Sequence, residues 1–227
     1  MNIRYILEKL YFNRFAGGLF HTVDYCIMKN LKQCDSVLDL GCGSNSPVRR
    51  CSNLKHKIGI EGYAPYLEES KSKGIHTNYI LGNIMDQSFP KKSFDAVLML
   101  EVLEHLSKED GLRMLAKIEQ WARKVIIISA PNGFLPQNAI DGNQYQKHLS
   151  GWRTYEFKTR GYKVFGLSGL KLLRTERAEG EEHDTIRFKP KIFWAMVAII
   201  SQIVTYFVPL LAFECLYVKT FREEKSS

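Results

Sequence analysis

The chain has 227 residues, 45% of them hydrophobic and 25% charged, with 7 prolines. This is the composition of one folded domain and excludes disordered, collagen-like and coiled-coil classes. Its formal net charge of +8 permits attraction to nucleic acid, anionic lipid or an anionic small molecule without selecting among them.

Five cysteines, Cys26, Cys34, Cys42, Cys51 and Cys215, form no CxxC pair. An odd, unpaired set argues against a disulfide framework and against a zinc site, so a reducing, cytoplasmic location and no metal are expected. The first residues, MNIRYILEKLYF, place Arg4, Glu8 and Lys9 among the apolar positions, which is not the pattern of a secretory signal.

Residues 1–34 mix aromatics with scattered charges, and their spacing predicts a helical cover of two short helices broken at Gly17–Gly18. From Ser36 the text changes to short apolar runs: SVLDL, KIGIE, TNYIL, FDAVLML and KVIIIS. Runs of this length, separated by helix-like stretches, predict five buried parallel strands with crossover helices near 47–56, 63–73, 107–122 and 150–160. Ser107 with Asp110 reads as a capping box for the third helix. YKVFGLSG and FECLYVKTF predict two more strands. The expectation is therefore one α/β domain over 1–227, with a core at 35–166, an apolar insert at 187–213 and a last strand at 212–221.

Val37–Asn45 reads as a buried strand entering a Gly-x-Gly turn. Glycines there let backbone approach a ligand and aim amide donors at it. The third glycine of a dinucleotide fingerprint is absent, since Ser46 holds that position, which counts against NAD and FAD.

From this loop onward the chain resembles the class I S-adenosylmethionine-dependent methyltransferases, in order from about Ser36 to Gly133 and more loosely to Thr220. The resemblance implies a Rossmann-like fold with a seven-stranded, mostly parallel sheet, helices on both faces and an antiparallel last strand. Asp39-Leu-Gly41-Cys42-Gly43 matches the family's first motif, whose glycine loop packs against the methionine part of the cofactor. Glu61, about 20 residues on, would accept hydrogen bonds from both ribose hydroxyls. In Gly82-Asn83-Ile84 the family often carries an acid on the adenine amino group; here Asn83 replaces it and Asp86 competes for that role. Phe94-Asp-Ala-Val-Leu-Met-Leu-Glu101-Val-Leu-Glu104-His105-Leu106 matches the fourth strand and its exit, with Glu101 toward the cofactor cleft. Ile126–Gly133 matches the fifth. All five matches fall at the carboxyl ends of strands, where open parallel sheets bind ligands. S-adenosylmethionine is thus the implied cofactor.

Methyl transfer from a sulfonium needs mainly binding, orientation and exclusion of water, and a base only for some acceptors. His148, in the long polar loop 134–152, and His105 are the candidate bases, with Asp141 and Tyr145 behind them. The alternative for His148 and Trp152 is that they anchor the loop. No Asn-Pro-Pro-Tyr and no Pro-Cys pair occurs, and the basic residues are dispersed, which disfavours nucleic acid as acceptor. The expected acceptor is a small or lipid-linked molecule, a saccharide included. A non-catalytic cofactor-binding partner at the membrane and a nucleic-acid methyltransferase stay open as alternatives.

Ile192–Phe213 carries no charge over about 22 residues, roughly 33 Å as a straight helix. Three readings are open: a buried or lid helix, a helix lying on the membrane surface with Arg187, Lys189, Lys191, Lys219 and Arg222 near headgroups, or a span. Ser201, Gln202 and Thr205 form a polar stripe, which argues against the span.

Overall fold

A computed structural model describes residues 14–140, 142–175 and 186–221. Seven strands form one sheet in the order β3-β2-β1-β4-β5-β7-β6: β1 Ser36–Leu40, β2 His56–Glu61, β3 Asn78–Leu81, β4 Phe94–Leu100, β5 Ala122–Pro131, β6 Lys163–Leu170 and β7 Ala212–Thr220. The first five pair in parallel, and β7 runs antiparallel to both β5 and β6. Helices α1 (Arg14–Phe20), α2 (Val23–Asn30), α3 (Ala64–Ser72), α4 (Lys108–Trp121), α5 (Thr154–Lys158) and α6 (Lys191–Thr205) cover it.

Alternating strand residues feed two cores. Leu38, Leu40, Met99, Ile126 and Ile128 pack with Met114, Ile118 and Trp121 of α4 on one face. Val37, Leu98, Ile127 and Leu216 pack with Cys26, Ile27 and Leu31 of α2 on the other. This two-sided burial explains why the strands read as continuous apolar runs.

The fourth-strand phrase contributes to stability at the opposite end from the crevice. Asp95 is buried; its Oδ2 accepts from the Asp35 amide at 2.8 Å, and its Oδ1 takes two donors from Arg123 at 2.9 and 2.7 Å. Burial opposes ionisation, but the Asp35 amide and Arg123 outweigh it and hold the carboxyl below its ordinary range. Asp95→Ala is expected to destabilise the fold by about 1–3 kcal/mol, read as a lower urea midpoint. A carboxyl depressed in the folded state contributes above its unfolded pKa and loses that contribution as pH falls through its folded one. The difference between wild type and variant should therefore shrink in acid.

Three helix expectations are corrected. The N-terminal break falls at His21, whose φ is 49°, with Thr22 capping α2, and not at Gly17–Gly18. Those glycines lie inside α1 because a Cβ on Gly17 would sit 3.2 Å from Tyr25 Cβ and one on Gly18 3.4 Å from its ring. The segment 47–56 forms only a 3-10 turn, Pro47–Arg50, that buries Val48 before β2 begins at His56. The helix expected at 150–160 is confined to Thr154–Lys158, because Ser150 and Trp152 are bonded back to the β4 exit.

The apolar insert is α6 followed by a 3-10 turn, Pro209–Leu211. Its polar stripe faces the sheet. Gln202 Oε1 accepts from the Gly169 amide at 2.7 Å and its Nε2 donates to the Gly166 carbonyl at 3.0 Å, while Ser201 Oγ accepts from the Leu170 amide at 3.0 Å. Gly166 permits this approach, since a Cβ there would meet the Thr205 carbonyl oxygen at 2.1 Å. Ile192, Phe193, Met196, Ile200 and Val204 therefore point to solvent. Among the described residues no helix is long and apolar enough to cross a membrane, so the span is not what α6 forms.

Candidate active site

The carboxyl ends of β1, β2 and β4 converge on one crevice. β1 delivers the chain into a glycine turn in which Gly41 (φ 64°) and Gly43 (φ 56°) both adopt left-handed backbone. A Cβ on Gly41 would lie 2.4 Å from Val102 Cγ2, so glycine is required for space as well as conformation. A Cβ on Gly43 would meet nothing within 4 Å: the loop presents bare backbone to open space there.

Glu61 ends β2 and is 8% exposed. Its Oε2 accepts from the Gly43 amide and its Oε1 from the Tyr63 amide, both at 2.9 Å. Each carboxylate oxygen has a second acceptor position, so the carboxylate braces the loop and still has capacity for a pair of hydroxyls.

Asp39 is turned beneath the loop. Its Oδ2 accepts from Ser46 Oγ at 2.6 Å and pairs with His76 Nε2 at 2.9 Å, and all three residues are buried. The side chain therefore shapes the turn. Ser46 and His76 carry no periodic or motif signal that would mark them for this role in the sequence. Cys42 enters through its backbone, whose amide donates to Ile60 O at 2.9 Å; burial drives its thiol far above the ordinary range. Asn83 caps the 3-10 turn Ile84–Asp86 by accepting from the Met85 amide at 2.9 Å, while Ile84 is buried against the core.

Glu101 leaves β4 with φ 52°, its amide donating to Ser129 O at 3.0 Å. The backbone then makes a 3-10 turn, Leu103–His105, under the loop 134–152. That loop is fastened in three places. The Leu149 and Ser150 amides donate to the Glu104 carbonyl at 2.8 and 3.0 Å, Trp152 Nε1 donates to the Leu103 carbonyl at 3.3 Å, and the Gly133 amide donates to Trp152 O at 2.8 Å. Trp152, 1% exposed, thus serves as an anchor. At the loop's other end the Tyr145 ring approaches Gly62, 3.1 Å from where a Cβ would stand. The loop consequently spans the crevice from β4 to β2.

His105 and His148 meet beneath it, with ring centroids 4.8 Å apart. Burial, and then the charge of His148, push the His105 imidazole down to about 4. Burial raises the Glu104 carboxyl well above the usual range. Asp141 lies outside the described residues.

Glu61, Gly41, Gly43, Cys42 and Asn83 are thus brought to one end of the sheet, with Glu101, His105 and His148 at the neighbouring strand exit. A family model described as a methyltransferase domain matches residues 38–126. A protein named as a methyltransferase in Encephalitozoon cuniculi is 24% identical over 147 residues, 62% of this chain and 68% of that one. The sterol 24-C-methyltransferase of Neurospora crassa is 28% identical over 90 residues, 36% of this chain, which spans only 24% of that enzyme's length. Among solved structures, an Archaeoglobus fulgidus S-adenosylmethionine-dependent methyltransferase shares the fold, with a TM-score of 0.56 and 17% identity over 97% of this chain and 100% of that one. Motif order, sheet order and these matches agree: residues 38–126 match the methyltransferase-domain family, and they sit in a chain with the class I S-adenosylmethionine-dependent methyltransferase fold.

Proposed function

We propose that this chain binds S-adenosylmethionine in the crevice at the ends of β1 and β2 and transfers its methyl group to a small or lipid-linked acceptor entering beneath the loop 134–152. The observation that carries the reading is Glu61: a buried carboxylate at a strand end, bonded to Gly43 and Tyr63, beside a stretch of glycine backbone open to a ligand. That arrangement fits a ribose diol. Gly41 and Gly43 would line the methionine part, with Asn83 and Ile84 at the adenine. When bound, the cofactor supplies a methyl group on a sulfonium, with its leaving group built in.

The protein's own contribution is positioning and exclusion of water. Asp39, Ser46 and His76 hold the glycine turn in shape from below. Tyr145 and the fastened loop shield the β2 end, while Glu104, His105 and His148 provide the polar groups of the acceptor side.

A lipid-linked acceptor is favoured by α6. Its outward face is apolar, and Arg187, Phe188, Lys189 and Lys191 are exposed at its start. Such a helix suits the plane of an anionic membrane, apolar side chains inserted and cations among headgroups. The sterol methyltransferase similar to this chain is itself named for a lipid acceptor.

Incubation with methyl-labelled S-adenosylmethionine and total cell extract, followed by organic–aqueous partition, tests the acceptor class. Enzyme-dependent label is expected in the organic phase; label confined to water would displace the lipid-linked reading. In a flotation assay with vesicles of phosphatidylcholine and phosphatidylglycerol, the protein should rise with the vesicles. The double substitution Phe193→Asp with Ile200→Asp should reduce the floated fraction at least tenfold without lowering thermal stability. Wild type left at the bottom of the gradient would remove the docking role of α6.

A further inference from the structure

We propose that Glu104, His105 and His148 form a site for one divalent first-row transition-metal ion at the exit of β4, with open coordination positions for a hydroxyl oxygen of the acceptor. One donor atom from each of the three lies within 4.8 Å of the others. Donors bound to a common ion at about 2.0–2.2 Å stand about 3–4 Å apart, so small side-chain rotations close the set. The mixture of two imidazoles and one carboxylate suits zinc, cobalt, manganese or iron better than magnesium or calcium, which prefer oxygen alone.

Two further observations point to a ligand there. Glu104 is 2% exposed, and its Oε2 has no hydrogen-bond partner; a buried carboxylate oxygen is costly in that state. In addition, both histidines are oriented from behind. His105 Nδ1 faces the Lys147 carbonyl at 3.2 Å and His148 Nδ1 faces the Leu135 carbonyl at 2.6 Å. These carbonyls fix the plane of each ring, the kind of support from behind that metal-ligating histidines receive. The residues come from two segments more than 40 positions apart, joined by the amides of Leu149 and Ser150 on the Glu104 carbonyl. The set contains no cysteine, which is why cysteine spacing gives no metal signal in this chain.

The chemical role rests on the methyl-transfer reading. The ion would bind an acceptor hydroxyl and lower its pKa. The hydroxyl proton leaves to solvent, the oxygen electron pair forms the new O–CH3 bond, and the pair of the broken S–CH3 bond stays on sulfur.

The untagged full chain, stripped with a chelator and titrated with cobalt(II) chloride, should bind one equivalent and develop visible ligand-field absorption. His148→Ala and Glu104→Gln should each weaken that binding at least tenfold, whereas His56→Ala, at the exposed start of β2, should not. Should Glu104→Gln fail to fold, His105→Ala replaces it, since that ring is only half-buried. Absence of stoichiometric binding, or wild-type affinity in both His148→Ala and His105→Ala, overturns the site. Cobalt binding without methyl transfer would leave the site standing and remove the methyl-transfer reading. Methyl transfer by a chain that binds no cobalt would do the reverse.

Discussion

Gly41→Val is expected to reduce affinity for S-adenosylhomocysteine at least tenfold and to destabilise the fold by about 2–4 kcal/mol. Two effects add. A left-handed backbone at φ 64° is unfavourable for a β-branched residue. The new Cβ would also meet Val102 Cγ2 at 2.4 Å, and valine has little rotamer freedom with which to yield. Val102 lies between Glu101 and the Leu103–His105 turn, so the strain should spread from the glycine loop to the β4 exit. Gly43→Ala is the informative companion, because its Cβ meets nothing within 4 Å. It should reduce ligand affinity by intruding on the crevice while changing the melting temperature much less. Calorimetric titration beside thermal melts separates the two. Equal affinity in wild type and Gly41→Val would show that the ligand does not use this turn.

Glu61→Ala should lower affinity for S-adenosylhomocysteine about a hundredfold. Hydrogen bonds to a charged partner contribute roughly 1.5–3 kcal/mol each, and loss of a bidentate ribose contact exceeds the 1.4 kcal/mol that corresponds to a factor of about ten. The change also frees the Gly43 and Tyr63 amides, which Glu61 holds at 2.9 Å, so the loop loses part of its pre-organisation. Glu61→Gln provides the control: it preserves shape and one acceptor oxygen and should fall between wild type and Glu61→Ala. A residue that only braced the loop would show matching losses of stability and affinity across the two variants. A ribose acceptor would show a larger loss of affinity than of stability.

The central strands β1, β4 and β5 are legible in the sequence because they are buried on both faces and therefore appear as apolar runs between turn residues, as in Val37–Leu40 and Val125–Ile128. The crevice is legible because glycine and carboxylate are demanded at fixed strand ends. Other features depend on neighbours that no local pattern reveals. Gly17 and Gly18 have the look of a helix break, yet they allow α1 to pass close to Tyr25. The Ser201, Gln202 and Thr205 stripe is visible as a polar stripe, and only the edge strand β6 shows why: its Gly166 and Gly169 backbone groups are the partners of Gln202. This turns the apolar side of α6 outward, the reverse of an ordinary surface helix. His76 is reached only through Asp39. Glu104 sits inside a strand-exit phrase that marks Glu101 and His105 more plainly, and its burial against the two histidines is a property of the fold alone.

The most direct measurement is a crystal structure of the protein with S-adenosylhomocysteine. Ribose hydroxyls are expected on the Glu61 carboxylate, adenine beside Asn83 and Ile84, the amino-acid part along Gly41–Gly43, and the sulfur directed to the space below the loop 134–152. A ligand bound elsewhere, or one at the crevice whose ribose does not touch Glu61, would contradict this assignment.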